Sequence, residues 1–396
     1  MQYKYSYYSN KFAYLHRFMK IGIDARMLGS KQGGIGRYIE QLVREFANEQ
    51  HTPAPLQRGG DFEFVVFLRK ENWDLVAETP NIKKVMADIP WYGWREQLLL
   101  PEIIKREKVD LMHFPHWNIP LFYKGKFIVT IHDLLLLHYP TRAASTLGPI
   151  SYFFKSIAHK IILRHAIYYS KKIIAPSEFT KNDILKNFKV KPEKIIVTLL
   201  APMPAITQMA DIDLKIQYKI TKPYILYVGV AYPHKNLEGL LEAWKIFCAD
   251  HGNIYQLVLA GRKNFFYERL EKMAENIDGV IFTGFVPDDD LPTLYQHASL
   301  YVFPSFYEGF GLPPLEAMTY GVPVTSSNTT CLPEILGQAA AYFDPRDPSD
   351  MADTIWRCLI DSELRATLNK NGTQLIHNYS WKNTARATLD VYINVV

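Results

Sequence analysis

Short apolar runs alternate with stretches of helical periodicity along most of the chain. The first run is residues 20–24 (KIGID), and a glycine turn, Gly33-Gly34-Ile35-Gly36, follows it. Beyond the turn, Ile35, Ile39, Leu42, Val43 and Phe46 recur at helical spacing and share one face. Further runs fall at 63–68 (EFVVFL), 110–114 (DLMHF), 126–131 (KFIVTI), 171–175 (KKIIA) and 194–199 (KIIVTL). Strands alternating with helices predict an α/β domain built on a parallel sheet. Residues 201–204 (APMP) break the pattern with two prolines. A second series follows, with strands predicted at 224–229, 255–261, 280–284 and 300–304, and candidates at 323–325 and 340–343. A helix is expected over 237–249. The pattern therefore predicts two α/β domains of similar size, joined near residues 199–206.

Composition narrows the class. The 396 residues are 48% hydrophobic and 21% charged, enough to bury sizeable cores and unlike a disordered chain. The net charge of +5 does not imply nucleic-acid binding. Cys248, Cys331 and Cys358 are odd in number and widely spaced, which argues against a disulfide scaffold or zinc module and for reduced, cytosolic thiols. No apolar stretch reaches the roughly 20 residues of a spanning helix, and the first residues lack a signal-peptide core. Residues 1–18 are basic, Tyr-rich and free of acids, and read as an extension ahead of the first domain.

Several clusters carry chemistry. Gly33, Gly34 and Gly36 lie between a strand and a helix start, where backbone N–H groups and the helix dipole receive phosphate. The third glycine of the dinucleotide fingerprint is missing, which disfavours a redox cofactor. His132 and Asp133 end a predicted strand, the edge that faces the ligand crevice in open parallel sheets. Lys235, in the segment PHKN after the strand at 224–229, is suited to a diphosphate, or simply to an exposed helix start. The densest signal is residues 308–316 (EGFGLPPLE). Here Glu308 lies on a loop and Glu316 on a helix, with glycine amides and prolines at the helix start between them. Carboxylates suit vicinal diols, so one can hold a hexose and the other a ribose. Residues 134–177 are free of acids and carry Arg142, Lys155, Lys160, Arg164, Lys171 and Lys172 beside Phe153, Phe154, Tyr168 and Tyr169. This reads either as a solvated basic face or as a surface for anionic membrane. The acids Asp288, Asp289 and Asp290 read as a solvated turn rather than a metal site.

Together these motifs resemble retaining family-four glycosyltransferases, two-domain GT-B enzymes with two Rossmann-like domains facing a cleft. The resemblance runs from Met19 to the final helix, through GGIGRY, TIHD, APSEFT, YPHKN, FTGFVP and the EX7E motif that begins at Glu308. It implies an acceptor-side domain at 19–200, a nucleotide-sugar domain at 206–376 and a returning helix within 377–396. It further implies that Glu308 contacts the transferred sugar and Glu316 the ribose. Lys235 would bind the donor diphosphate, His132 would lie beside the sugar, and the amides of Phe310, Gly311 and Leu312 would hold hydroxyls and phosphate. Where many members carry two more basic residues, this chain has Val230 and His234, with His234 expected to substitute in part. The YPHKN and GGIGRY forms are most similar to bacterial mannosyltransferases.

The resulting expectation is a metal-independent hexosyltransferase without cofactor. It would move mannose from GDP-mannose to a glycan or lipid-linked acceptor in polysaccharide or lipopolysaccharide synthesis. It would work in the cytoplasm, at the inner face of the cell membrane, with no nucleic-acid partner. The rival readings are a GT-B sugar-nucleotide epimerase, which would release nucleotide without transfer, and a non-catalytic nucleotide-sugar-binding protein.

Overall fold

The computed structural model describes residues 19–29, 33–48, 62–140, 149–206 and 212–395, with 149–154 described by backbone alone. Residues 1–18, Arg142 and the side chains of Phe153 and Phe154 lie outside the described residues. Seven strands form the first sheet: β1 Met19–Asp24, β2 Phe62–Leu68, β3 Ile82–Met86, β4 Leu111–Phe114, β5 Phe127–Thr130, β6 Ile173–Ala175 and β7 Ile195–Val197. Six form the second: β8 Tyr224–Val228, β9 Gln256–Ala260, β10 Val280–Gly284, β11 Leu300–Phe303, β12 Val324–Ser327 and β13 Ala340–Phe343. The orders are β3-β2-β1-β4-β5-β6-β7 and β10-β9-β8-β11-β12-β13, with every named pairing parallel.

Both orders reverse direction beside their first strand, between β1 and β4 and between β8 and β11. Loops leaving the carboxyl ends of such neighbours splay to opposite faces and open a crevice. The segments after β1, β5, β8 and β11 hold the glycine, His132, Lys235 and Glu308 motifs. Topology thus gathers the glycines with His132 at one crevice and Lys235 with Glu308 at the other.

Most buried strands are near-continuous apolar runs, as a sheet covered on both faces favours, while β12 (VTSS) buries three hydroxyl side chains. The edge strand β3 (IKKVM) was not among the expected runs, because Lys83 and Lys84 interrupt its apolar pattern and shield an open edge. The helix Gly33–Asn48 buries Tyr38, Ile39, Leu42, Val43 and Phe46 on the first sheet, with Phe46 stacked on Phe64 at 4.6 Å. The helix Trp381–Ile393, at the far end of the chain, packs on this same domain. Its Tyr392 hydroxyl lies 2.7 Å from Nδ1 of buried His113, and its Thr384 hydroxyl donates to the Leu199 carbonyl. His113 is therefore a core residue that binds Thr130 and Tyr392, and not only a strand end. Cys248, Cys331 and Cys358 are free thiols.

Candidate functional site

The carboxyl ends of the two sheets face each other across a seam, and the expected residues line it. The three glycines belong to the first helical turn of Gly33–Asn48 rather than to a turn preceding it. Among the described residues nothing lies within 4 Å of a Cβ added at Gly33 or Gly34, which leaves room for a ligand at their backbone. Gly36 serves another purpose: an added Cβ would come within 2.0 Å of the Gly29 carbonyl oxygen, so its bareness lets the helix pack on the loop after β1.

On the opposite side, the loop after β11 carries Glu308, and the helix Leu312–Thr319 carries Glu316. Gly311 caps that helix at φ +95°, a conformation open to glycine, and Pro313 follows at its start. The Phe310 ring is buried edge-on against Tyr379, which leaves the loop backbone as its ligand-facing part. After β8 the chain makes a short 3-10 turn, Pro233–Lys235, and Asn236 at φ +57° redirects it into the helix Leu237–His251. The Phe306 amide donates to the His234 carbonyl at 2.7 Å, which ties the two loops together. As a result Lys235 Nζ meets Glu308 Oε1 at 2.6 Å, with both side chains mostly withdrawn from water.

The two histidines of the site are uncharged. His132 Nε2 lies 3.0 Å from the Pro115 carbonyl, which only accepts, so the proton sits there and Nδ1 keeps its lone pair. Burial pulls its pKa down to about 4 against that hydrogen bond. Burial, with Lys235 adding to it, likewise lowers His234 to about 4. His234 thus stands beside Lys235 as a buried imidazole, whose ring N–H can donate a hydrogen bond. Asp133, next to His132, has its carboxyl pushed up by burial and by Glu308, and lowered by the Leu135 amide and Lys235.

Glu316 is buried and doubly bonded. Arg37 Nη1 donates to its Oε1 at 2.9 Å, and the Tyr295 hydroxyl donates to its Oε2 at 3.3 Å. Arg37 Nη2 also reaches Asp288 Oδ1 at 3.2 Å. Asp290 is buried and accepts from Tyr218 and Gln217. The turn at 288–290 is thus only in part solvated, because two of its three acids are engaged. Among the described residues, no group of three His, Cys, Asp or Glu is placed to hold a metal ion.

Two cavities open along the seam. One of about 150 Å³ lies beside Glu316 and Arg37, walled by Pro204, Leu291, Tyr295 and Tyr320. The other, of about 290 Å³, lies between Asp133, Leu135, Lys155 and His159 on one side and Tyr232 and His234 on the other.

The seam itself is tightly engaged. Ser177 donates to the Gly309 carbonyl at 2.7 Å, and Thr180 does so at 3.2 Å. Tyr307 donates to Asp183 at 2.6 Å while accepting from the Leu134 amide. Glu334 accepts from the amides of Glu178 and Phe179, capping a helix of the other domain.

Comparison with known proteins follows this geometry. The family described as Glycosyltransferase Family 4 matches residues 32–198, and that described as Glycosyl transferases group 1 matches 211–375. The O-antigen chain mannosyltransferase B of Escherichia coli is 32% identical over 91% of this chain and 95% of its own. The chain belongs to glycosyltransferase family 4. The O-antigen chain mannosyltransferase RfbU of Salmonella typhimurium is 27% identical, over 84% of this chain and 89% of its own. Among solved structures, sucrose-phosphate synthase from Thermosynechococcus elongatus superposes with a TM-score of 0.71 at 20% identity, covering 95% of this chain and 98% of that one. The fold is accordingly GT-B, and the enzyme is a glycosyltransferase homologous to O-antigen mannosyltransferases.

For this glycosyltransferase, sequence reasoning named Glu308, Glu316, Lys235 and His132, and the fold brings all four to one seam. It did not single out Arg37, Tyr295 or the Tyr307–Asp183 contact. Arg37 stood within the quoted GGIGRY string, but its partner lies 279 residues away, beyond any local spacing signal.

Proposed function

We propose that this glycosyltransferase is a retaining mannosyltransferase that moves mannose from GDP-mannose to a glycan or lipid-linked acceptor of a cell-surface polysaccharide. The observation that carries the donor site is the meeting of Lys235 with Glu308 at one end of the seam and of Glu316 with a small cavity at the other. A nucleoside in that cavity places its ribose hydroxyls on Glu316. Its diphosphate then lies toward Lys235 and the amides of Phe310, Gly311 and Leu312. These compensate the charge that develops on the leaving phosphate without a metal. The sugar lies between Glu308 and Nδ1 of His132, both able to accept from hydroxyls. The larger cavity, next to Asp133, receives the acceptor, whose hydroxyl attacks the face the nucleotide leaves and so retains configuration. Contact between the domains excludes the water that would otherwise hydrolyse the donor.

The mannosyl assignment draws on the relatives, both O-antigen mannosyltransferases. The test offers GDP-mannose, UDP-glucose and UDP-galactose with mannose-terminated acceptors, and reads the product anomer by proton NMR. An α-mannoside formed from GDP-mannose alone is expected. A β-linked product would end the retaining assignment, and transfer from a UDP-sugar would end the donor assignment.

We also propose peripheral contact with the inner face of the membrane, and one helix supports the contact. The outward face of Pro149–Tyr169 exposes Ile157, Ile161, Tyr168 and Tyr169 beside Lys160 and Arg164. No described helix is long and apolar enough to cross a membrane. Sedimentation with anionic vesicles, weakened by salt and by Ile161→Glu, tests it. Recovery in the supernatant regardless of lipid charge would remove this part of the reading.

A further inference from the structure

Arg37 lies on the helix Gly33–Asn48 of the first domain, and Glu316 on the helix Leu312–Thr319 of the second. Their ion pair, at 2.9 Å, crosses the seam at the mouth of the 150 Å³ cavity. Asp288 steadies the second guanidinium nitrogen at 3.2 Å, and the Tyr295 hydroxyl takes the other carboxylate oxygen. We propose that Arg37 is a positioning residue for nucleotide recognition, supplying across the seam the charge partner that makes Glu316 competent to hold the ribose. The proposal rests on the nucleotide reading of this cavity.

The physical case concerns what Glu316 does alone. Its side chain is only 9% exposed, and burial pushes its pKa up, with Arg37 the largest opposing influence. The groups that face it are Arg37, Asp288 in the loop after β10, Tyr295 on the helix Leu291–Gln296, and Tyr301 on β11. Arg37 is the one cation of that set. Without it, burial and the neighbouring Asp288 push the carboxyl further toward its protonated form. A protonated carboxyl turns one acceptor oxygen into a donor, and a ribose diol offers two donors. Because the cation comes from the opposite domain, the ribose contact is complete only when the domains are closed. Nucleotide binding and closure are then linked through a single guanidinium.

The experiment is calorimetric titration of the full-length protein with GDP, and with UDP in parallel, from pH ~6 to pH ~9. Arg37→Gln is expected to bind about tenfold more weakly than wild type at the acid end, the worth of a hydrogen bond to a charged group. Its deficit is expected to shrink as pH rises, because a higher pH favours the ionised form of Glu316. Arg37→Lys should keep most of the affinity at every pH. A loss equal at all pH values would make Arg37 merely structural. Unchanged or tighter binding would make it a bystander or a competitor. Each of these outcomes overturns the proposal. Glu316→Gln separates the two levels: weak binding at every pH sustains the nucleotide reading, and wild-type affinity would end that reading itself.

Discussion

Replacing Gly309 by alanine adds one methyl group at the narrowest point of the seam. The new Cβ would fall 1.9 Å from the His132 carbonyl oxygen, whereas side-chain Cβ atoms essentially never approach within 3.0 Å. The two backbones must therefore part by at least about 1.1 Å. Gly309 is not among the residues at positive φ, so the effect comes from the methyl group and not from backbone strain. Parting weakens the bonds that Ser177 and Thr180 donate to the Gly309 carbonyl. Losing buried hydrogen bonds of this kind costs about 1–3 kcal/mol of closure free energy in total. The same shift moves Glu308, the preceding residue, relative to His132 on the facing domain. A misplacement of about 1 Å at a reacting centre costs on the order of 10²-fold in rate. The expected result is a fall in kcat of that order with the melting transition nearly unchanged, since neither domain core is touched. The assay is steady-state transfer at saturating donor and acceptor, beside small-angle scattering with and without nucleotide. Ser177→Ala, which removes one bond without adding bulk, should lose much less. Turnover near the wild-type rate in Gly309→Ala would refute the reasoning, because it would mean that this closed contact is not the catalytic one.

Other outcomes follow from the same geometry. Lys235→Ala leaves Glu308 without its 2.6 Å partner and removes the cation proposed for the leaving diphosphate. Transfer should fall by at least ~10²-fold in Lys235→Ala and in Glu308→Gln with circular dichroism unchanged, and substantial turnover in either would remove that residue from the chemistry. Burial lowers His113 and His116 to about 3 and His132 to about 4, against an ordinary 6.5. The unfolded chain therefore binds more protons between these values. Stability is complete above pH 6.5 and is lost as pH falls toward 4. Thermal melts should show that slope, and His116→Asn should flatten it. Tyr307→Phe removes the hydroxyl shared by Asp183 and the Leu134 amide. Donor hydrolysis without acceptor should rise relative to transfer, and an unchanged ratio would count against a role in sealing the seam.

The repeating strand–helix pattern is readable because most buried parallel strands are apolar runs and their crossovers are not, β12 (VTSS) being an exception. The EGFGLPPLE segment was readable because glycine, proline and two carboxylates occur together for a shared reason. β3 escaped notice since an exposed edge is protected by the very lysines that spoil its pattern. Gly36 was credited to phosphate approach, although a neighbouring carbonyl claims the space its Cβ would fill. The burial of His234, which lowers its pKa to about 4, is encoded by no local motif. Arg37 and Asp290 gain their meaning from partners 279 and 72 residues away, contacts that only the assembled domains create.

The helix Trp381–Ile393 has a consequence for how the molecule is made. Its Tyr38, Phe46 and His113 neighbours all belong to the first domain, and Tyr392 is fully buried among them. During synthesis, the amino-terminal sheet must wait with part of its apolar surface uncovered until the second domain has emerged and the last helix arrives. The order of birth is thus reversed in the order of completion: the domain translated first is finished last. A premature stop before residue 381 therefore injures the end of the molecule that it leaves intact in sequence.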